Sequence, residues 1–261
     1  MTVALSRLAR SNERVFYGIL GFVLVTVIWE LAADAGLFRR SLLSAPSLVW
    51  EAAVTDFGAG TIWPDLRTSF IEFGLGFGSA LVIGIPIGFL IGIARRVDSF
   101  LSPLLAGIYS TPKAAIAPLI ILVAGIGLES KVILVFLLTF FSVIVSTMSG
   151  VRSVGEKHLD IARSFGASRW LTFRSVVLPS TFPFILTGAR IATGRALVGV
   201  VIAEELAANE GIGHYISFYG SFLQTQRVML GVVLLGLFGI ALGEGVRRIE
   251  KRYEAWRPRV H

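Results

Sequence analysis

DIARSFGASRWLTFRSVVLP, residues 160–179, is the stretch around which the rest of the chain is organised. It is the longest polar and charged segment set between strongly apolar blocks, and it carries Arg163, Arg169 and Arg174. Leu159, Ala162 and Phe165 recur at helical spacing, which predicts a short helix with an apolar stripe. Gly166 supplies the left-handed residue that closes such a helix. Ser168 is placed to cap a second helix bearing Trp170, Leu171 and Phe173. Pro179 predicts a further helix start. A helix–glycine–helix element between apolar blocks has surface to offer a soluble partner. The plainer alternative is a basic connecting loop with helical turns.

The flanking blocks set the fold class. The chain has 261 residues, 54% of them hydrophobic and 16% charged, with a mean hydropathy of +0.77. A soluble domain carries roughly a quarter charged residues. The expected class is therefore all-α, a polytopic helical bundle in a membrane, as a single domain over 1–261. Apolar runs at about 15–33, 66–94, 101–123, 132–148, 182–203 and 228–246 predict six spans, since a bilayer core needs ~20 helical residues. No small-residue cleavage site follows the first run, so it is expected to be a retained span.

Finer features lie within these blocks. Pro46 opens either a surface helix, with Leu48, Val49, Ala52 and Ala53 on one face, or a plain loop. In the second span Gly74 and Gly78, then Gly84, Gly88 and Gly92, recur at four-residue steps, a stripe that lets helices approach closely. Pro103, Pro112 and Pro118 interrupt the third span, which also holds Lys113; such a helix belongs inside protein or beside a cavity. The fifth span carries Arg190 and Arg195, with Glu204 and Glu205 at its far end. Residues 206–227 form a Tyr- and Phe-bearing return suited to an interface.

Six spans put both termini on one side. With the N-terminus inside, sixteen Lys and Arg fall on the inner segments: the head, Arg95 and Arg96, the stretch Arg152 to Arg174, and the tail. Five fall outside: Arg39, Arg40, Arg67, Lys131 and Arg227. That asymmetry predicts N-in, C-in. It also puts 160–179 in the cytoplasm. The net charge of +7 is then accounted for by residues flanking spans, and no nucleic-acid partner is expected.

No catalytic constellation is visible. His158, His214 and His261 are far apart and none stands at metal-ligand spacing. The absence of Cys excludes disulfides, thiol catalysis and Cys-based metal sites. There is no phosphate-cradling GxxxxGK[ST] run; the nearest candidate, Gly150 to Lys157, is broken by Glu156. The chain is expected to be no enzyme, and any nucleotide-driven work must come from another polypeptide.

The 160–179 stretch resembles the cytoplasmic signature loop of permease subunits of bacterial ABC importers: Glu-Ala-Ala, three residues, Gly, nine residues, Ile, one residue, Leu-Pro. Here Asp160, Ile161 and Ala162 stand at the first three positions, Gly166 follows at the right distance, and Val176, Leu178 and Pro179 close the pattern. The departures, Asp for Glu, Ile for Ala and Val for Ile, keep charge sign and apolar character. The run TGARIATGRALVGVVIAEEL (187–206) with GIGHYI (211–216), and PLIILVAGIG (118–127), resemble the nitrate, sulfonate and taurine group of these permeases. The resemblance implies a type I importer-like fold in a bacterial inner membrane, with a second permease copy, two ATPase subunits and an external solute-binding protein as partners. ATP and Mg would be bound by the ATPase, leaving no cofactor in this chain. By position, Asp160, Ala162 and Gly166 would belong to the helix docked in the ATPase, within a coupling loop at about 156–179. Leu159, Ile161 and Phe165 are added as apolar contacts. The implied cargo is a small anion, nitrate-, bicarbonate-, sulfonate- or taurine-like.

Ionisable residues inside spans are costly and often functional. Lys113, Arg190, Arg195 and Glu204 are therefore candidates for the translocation path. Against that, the arginines could snorkel or pair with Glu204 or Glu72. Arg190 and Arg195 are five apart, so they point about 140° apart on a helix. A secondary transporter driven by an ion gradient is the alternative class; it would want an inverted repeat, and none is evident.

Overall fold

The computed structural model describes residues 2–36, 44–207 and 209–253. Arg39 and Arg40, and the tail beyond 253, lie outside them. Among the described residues all regular structure is helical: α1 (Thr2–Asp34), α2 (Pro46–Gly58), α3 (Trp63–Ile93), α4 (Arg95–Ser110), α5 (Ala117–Ala124), α6 (Leu128–Arg152), α7 (Glu156–Ser164), α8 (Arg169–Thr172), α9 (Leu178–Ala207), α10 (Ile212–Ser221) and α11 (Thr225–Tyr253). Five stretches are long and apolar enough to cross a membrane: Phe16–Asp34, Trp63–Ile93, Leu128–Arg152, Arg169–Ala207 and Thr225–Glu250. A sixth exists if Arg96–Tyr109 and Lys113–Ala124, which meet at 81°, count as one.

The third apolar run is thus a broken helix. Pro112 disfavours helical backbone at the residue before it, and Thr111 is extended at ψ 136°. A short 3-10 turn, Lys113–Ile116, leads into α5, whose first turn accommodates Pro118. Pro179 stands where α9 begins, at Leu178, although the chain enters that helix without a loop. α8 passes through a π-turn, Phe173–Val177, directly into α9, and the whole runs as one apolar stretch. A π-turn absorbs an extra residue without ending the helix, and the missing proline N–H falls in α9's first turn, where it costs least.

Contacts divide the described chain into two compact units. The smaller takes in residues up to 62 together with 215–232. Pro46 does open a helix, and Val49, Ala52 and Asp56 are its buried positions. Glu30 of α1 accepts from the Ser47 N–H (3.0 Å) and hydroxyl (2.7 Å), fixing the start of α2. Asp56 accepts from the Tyr215 hydroxyl (2.6 Å) and from Arg227 Nε and Nη2 (both 2.9 Å). Burial works against ionising Asp56, but its bonds to Arg227 and Tyr215 outweigh that and hold its pKa below the usual carboxylate value. Burial, and then the bond to the Asp56 carboxylate, push the Tyr215 hydroxyl up.

The larger unit, 63–214 with the described residues from 233 on, is centred on α6, which packs along α3 and α9. Small residues set its spacing. A Cβ on Gly76 would meet Val135 at 2.6 Å, on Gly88 Thr147 at 2.6 Å, and on Gly92 Val151 at 2.7 Å. Gly84 faces Val143 at 3.2 Å, and Ala80, between these positions, is fully buried. The working stripe is therefore 76-80-84-88-92. Gly74 and Gly78, expected in it, lie on another face with open space around them, because 74 and 78 are two residues out of phase with 76 and 80 on a 3.6-residue helix. Lys131, expected in an outer connection, instead sits in the first turn of α6, buried and ion-paired with Glu72 of α3.

Candidate functional site

The 160–179 region forms an elbow. α7 ends as the glycine predicts: Gly166 has φ +70°, its N–H donates to the Arg163 carbonyl (2.9 Å), and the Ala167 N–H donates to that of Ala162 (3.0 Å). That paired arrangement closes a helix with a left-handed residue. Ser168 caps α8 by accepting from the Leu171 N–H (3.2 Å). The two faces of α7 then differ. Leu159 turns inward, against the cluster of Phe89, Val151, Val177 and Ile185. Ile161 and Phe165 turn outward, and Phe165 is 85% exposed. Asp160 is exposed and paired with Arg163 at 3.1 Å. Of the six residues proposed for docking, Leu159 thus anchors the elbow to the bundle, Ala162 is half-buried, and Asp160, Ile161, Phe165 and Gly166 present its surface.

The broken third span opens a cavity of about 370 Å³, lined on one side by Tyr109, Pro112, Lys113 and Ala114, and on the other by residues of α6 and α9. Lys113 and Arg195 both reach it. The Lys113 ammonium donates to the Tyr109 carbonyl (2.9 Å) and lies 5.2 Å from the centres of the Tyr109 and Phe141 rings. Arg195 donates to the Ser142 hydroxyl (2.7 Å) and the Tyr109 hydroxyl (2.6 Å), with its guanidinium 4.8 Å from the Tyr109 ring. Among the described residues neither cation has a carboxylate partner. Ring faces and neutral oxygens moderate the cost of holding two cations in an apolar stretch without neutralising them.

The other two path candidates are elsewhere. Arg190 pairs with Glu250 of α11 at 3.2 Å, as the 140° separation from Arg195 allows. Glu204 is fully buried and accepts from the Ser69 hydroxyl (2.5 Å) and the Gly213 N–H (2.6 Å). The Ile212 N–H donates in turn to Ser69 (2.9 Å), and the Gly211 N–H to Asp65 (2.8 Å). This accounts for the GIG run. Gly211 has φ +125°, and a Cβ on Gly213 would meet the Val201 carbonyl at 2.7 Å. Glu204 is a staple between α9 and the start of α10, not a cavity group.

Tyr109 and Ser142, which orient Arg195, were not singled out from the sequence. Tyr109 stands one turn before Lys113, across the Pro112 break, and the proline spacing is the signal that brings them together. Ser142 carries no local signal; only the packing of α6 on α9 places it.

Residues 84–254 match the family model described as the binding-protein-dependent transport system inner membrane component. The chain belongs to that family. It is the non-catalytic, multi-pass permease subunit of an ATP-driven ABC importer, with ATP hydrolysis left to a separate subunit. The permease is 33% identical to the taurine transport system permease protein TauC of Escherichia coli (strain K12), over 91% of this chain and 88% of that one. It is 30% identical to the putative aliphatic sulfonates transport permease protein SsuC of Bacillus subtilis (strain 168), over 92% and 87%. Among solved structures the permease fold is similar to that of the MetNI methionine ABC transporter in an inward-facing conformation, with a TM-score of 0.60 and 19% identity over 74% of this chain and 94% of that one. Membership implies ATPase and solute-binding partners and a dimeric arrangement.

Proposed function

We propose that this permease carries a small anionic solute, nitrate-, bicarbonate-, sulfonate- or taurine-like, across a bacterial inner membrane as one of two identical copies. The observation that carries the proposal is the pair of cations, Lys113 and Arg195, at the break in the third span, neither of which meets a carboxylate among the described residues. Two uncompensated positive charges inside a bilayer are expensive unless an anion visits them. The names of the relatives, which concern taurine and aliphatic sulfonates, point to the same chemistry.

Energy enters at the elbow. Asp160, Ile161, Ala162, Phe165 and Gly166 form the surface that seats in the ATPase, which holds ATP and Mg, while Leu159 ties that surface to the bundle. Because α8 continues through the π-turn into α9, a displacement of the elbow pulls on the helix that carries Arg195. Alternating access then follows from the different affinities of the ATPase for the two positions of the elbow.

The test is uptake in cells or proteoliposomes containing the full transporter. Arg195→Gln is expected to lower uptake of the transported anion at least about tenfold, the usual scale for one charge-assisted contact. The complex should still co-purify, because among the described residues Arg195 bonds the neutral side chains of Ser142 and Tyr109. Unchanged uptake removes Arg195 from the path.

A further inference from the structure

The larger unit holds a second cluster of ionisable groups, which the transport mechanism leaves unused. Glu72 of α3 and Glu204 of α9 are fully buried, and Lys131 of α6 is only 7% exposed. Glu72 Oε1 accepts from the Lys131 ammonium. Its other oxygen, Oε2, is buried with no donor among the described residues. The Glu72 carboxyl also lies within hydrogen-bonding reach of that of Glu204. Glu204 is enclosed: it accepts from the Ser69 hydroxyl and the Gly213 N–H, and a Cβ on Gly211 would overlap its carboxyl. Lys131 is the cation that faces both carboxyls. Asp65 accepts from the Gly211 N–H, with Glu210 and His214 as its titratable neighbours. α5, also packed on α9, has no ionisable residue.

Two ionised carboxylates cannot bond each other, because each offers only acceptors. Ionised together, Glu72 and Glu204 would set two negative charges against one ammonium in a buried site, where like charges oppose each other's ionisation and an unanswered charge is costly. One proton between them removes both difficulties. It supplies the donor that Glu72 Oε2 lacks, and it leaves one negative charge for Lys131.

We propose that Glu72 and Glu204 form a proton-binding site, in which one proton is held jointly by the two carboxyls and Lys131 answers the negative charge that remains. The proton belongs to the pair and not to either residue. Either carboxyl can be the ionised member: Glu72 through its bond to Lys131, Glu204 through its bonds from Ser69 and Gly213. The shared proton ties α3 to α9 where Lys131 ties α3 to α6, so the three helices at the centre of the unit meet on one charge-balanced cluster.

The experiment is infrared spectroscopy of the purified permease–ATPase complex at neutral pH, in ordinary and heavy water, for the native protein, Glu72→Gln and Glu204→Gln. The native complex is expected to show the carbonyl stretch of a protonated carboxyl, moved by deuterium. The difference spectrum against each single variant should show that band lost from both. A Gln at either position donates an amide N–H where the proton stood and leaves one carboxylate for Lys131, so both single variants should assemble to within about twofold of the native yield. Combining the two substitutions strands Lys131 and is expected to lower that yield at least about tenfold. Absence of the band from the native complex would overturn the proposal whether or not any variant folds. So would a band that survives in either single variant, since the proton would then not be shared. Single variants that fail as completely as the double would also overturn it, because both carboxylates would then be needed in ionised form.

Discussion

Residues that carry charge inside this permease fall into two kinds, and the difference is legible only in three dimensions. Glu72 with Lys131, Arg190 with Glu250, and Asp56 with Arg227 are compensated pairs; Lys113 and Arg195 have no carboxylate partner among the described residues. In the sequence all of these are ionisable residues in or near apolar runs, and nothing local separates a structural pair from an unpaired cation. The partners stand 59, 60 and 171 residues apart, or come from a different helix altogether. Asp56 is the structural kind. Asp56→Asn removes the charge and one of the two oxygens that accept from Arg227, and is expected to cost about 2–3 kcal/mol, read as a lower melting temperature of the solubilised protein. Its pKa is held below 3.8, so its stabilisation is complete above that value and is lost as pH falls through the depressed one. The Asp56-dependent part of the stability should therefore be flat from pH 8 to about pH 5 and decline only below about pH 4. A decline between pH 7 and 6 that vanishes in Asp56→Asn would contradict that account.

Among the helices, what the sequence conveyed best was local chemistry. The Gly166 closure and the Ser168 cap of the elbow depend on residues within six positions of each other, and both were readable. The glycine stripe was readable as a motif but not in phase: Gly74 and Gly78 share the four-residue step yet not the face, and Gly76 with Ala80 takes their place against α6. Gly88→Ala is expected to cost about 1–3 kcal/mol by overpacking against Thr147, whereas Gly78→Ala should be neutral or slightly stabilising; thermal denaturation of the two variants side by side checks both. The break at Pro112 was signalled by proline spacing, but not its 81° angle, nor that α6 and α9 supply the facing side of the cavity. At the elbow, Gly166→Ala forces a side chain into left-handed backbone at about 1–2 kcal/mol. No neighbour obstructs its Cβ, so the effect acts on the turn itself. Co-purification of the ATPase should fall while the permease still reaches the membrane.

For the molecule as a whole, the class followed from bulk hydropathy and span length, while function rested on one polar stretch and what grips it. An outward-facing Phe165, an inward-facing Leu159 and an unbroken path from α8 into α9 suit the elbow to the lever role proposed above, with the helix bearing Arg195 as its load. That account requires the elbow to lie in the cytoplasm and under an ATPase. The native chain contains no cysteine, so a single Phe165→Cys substitution gives an unambiguous probe. A membrane-impermeant maleimide should leave this cysteine unmodified in intact cells. The same reagent should label it in inverted vesicles stripped of the ATPase, and adding the ATPase back should protect it. Labelling from the outside of intact cells, or full labelling with the ATPase bound, would contradict the account.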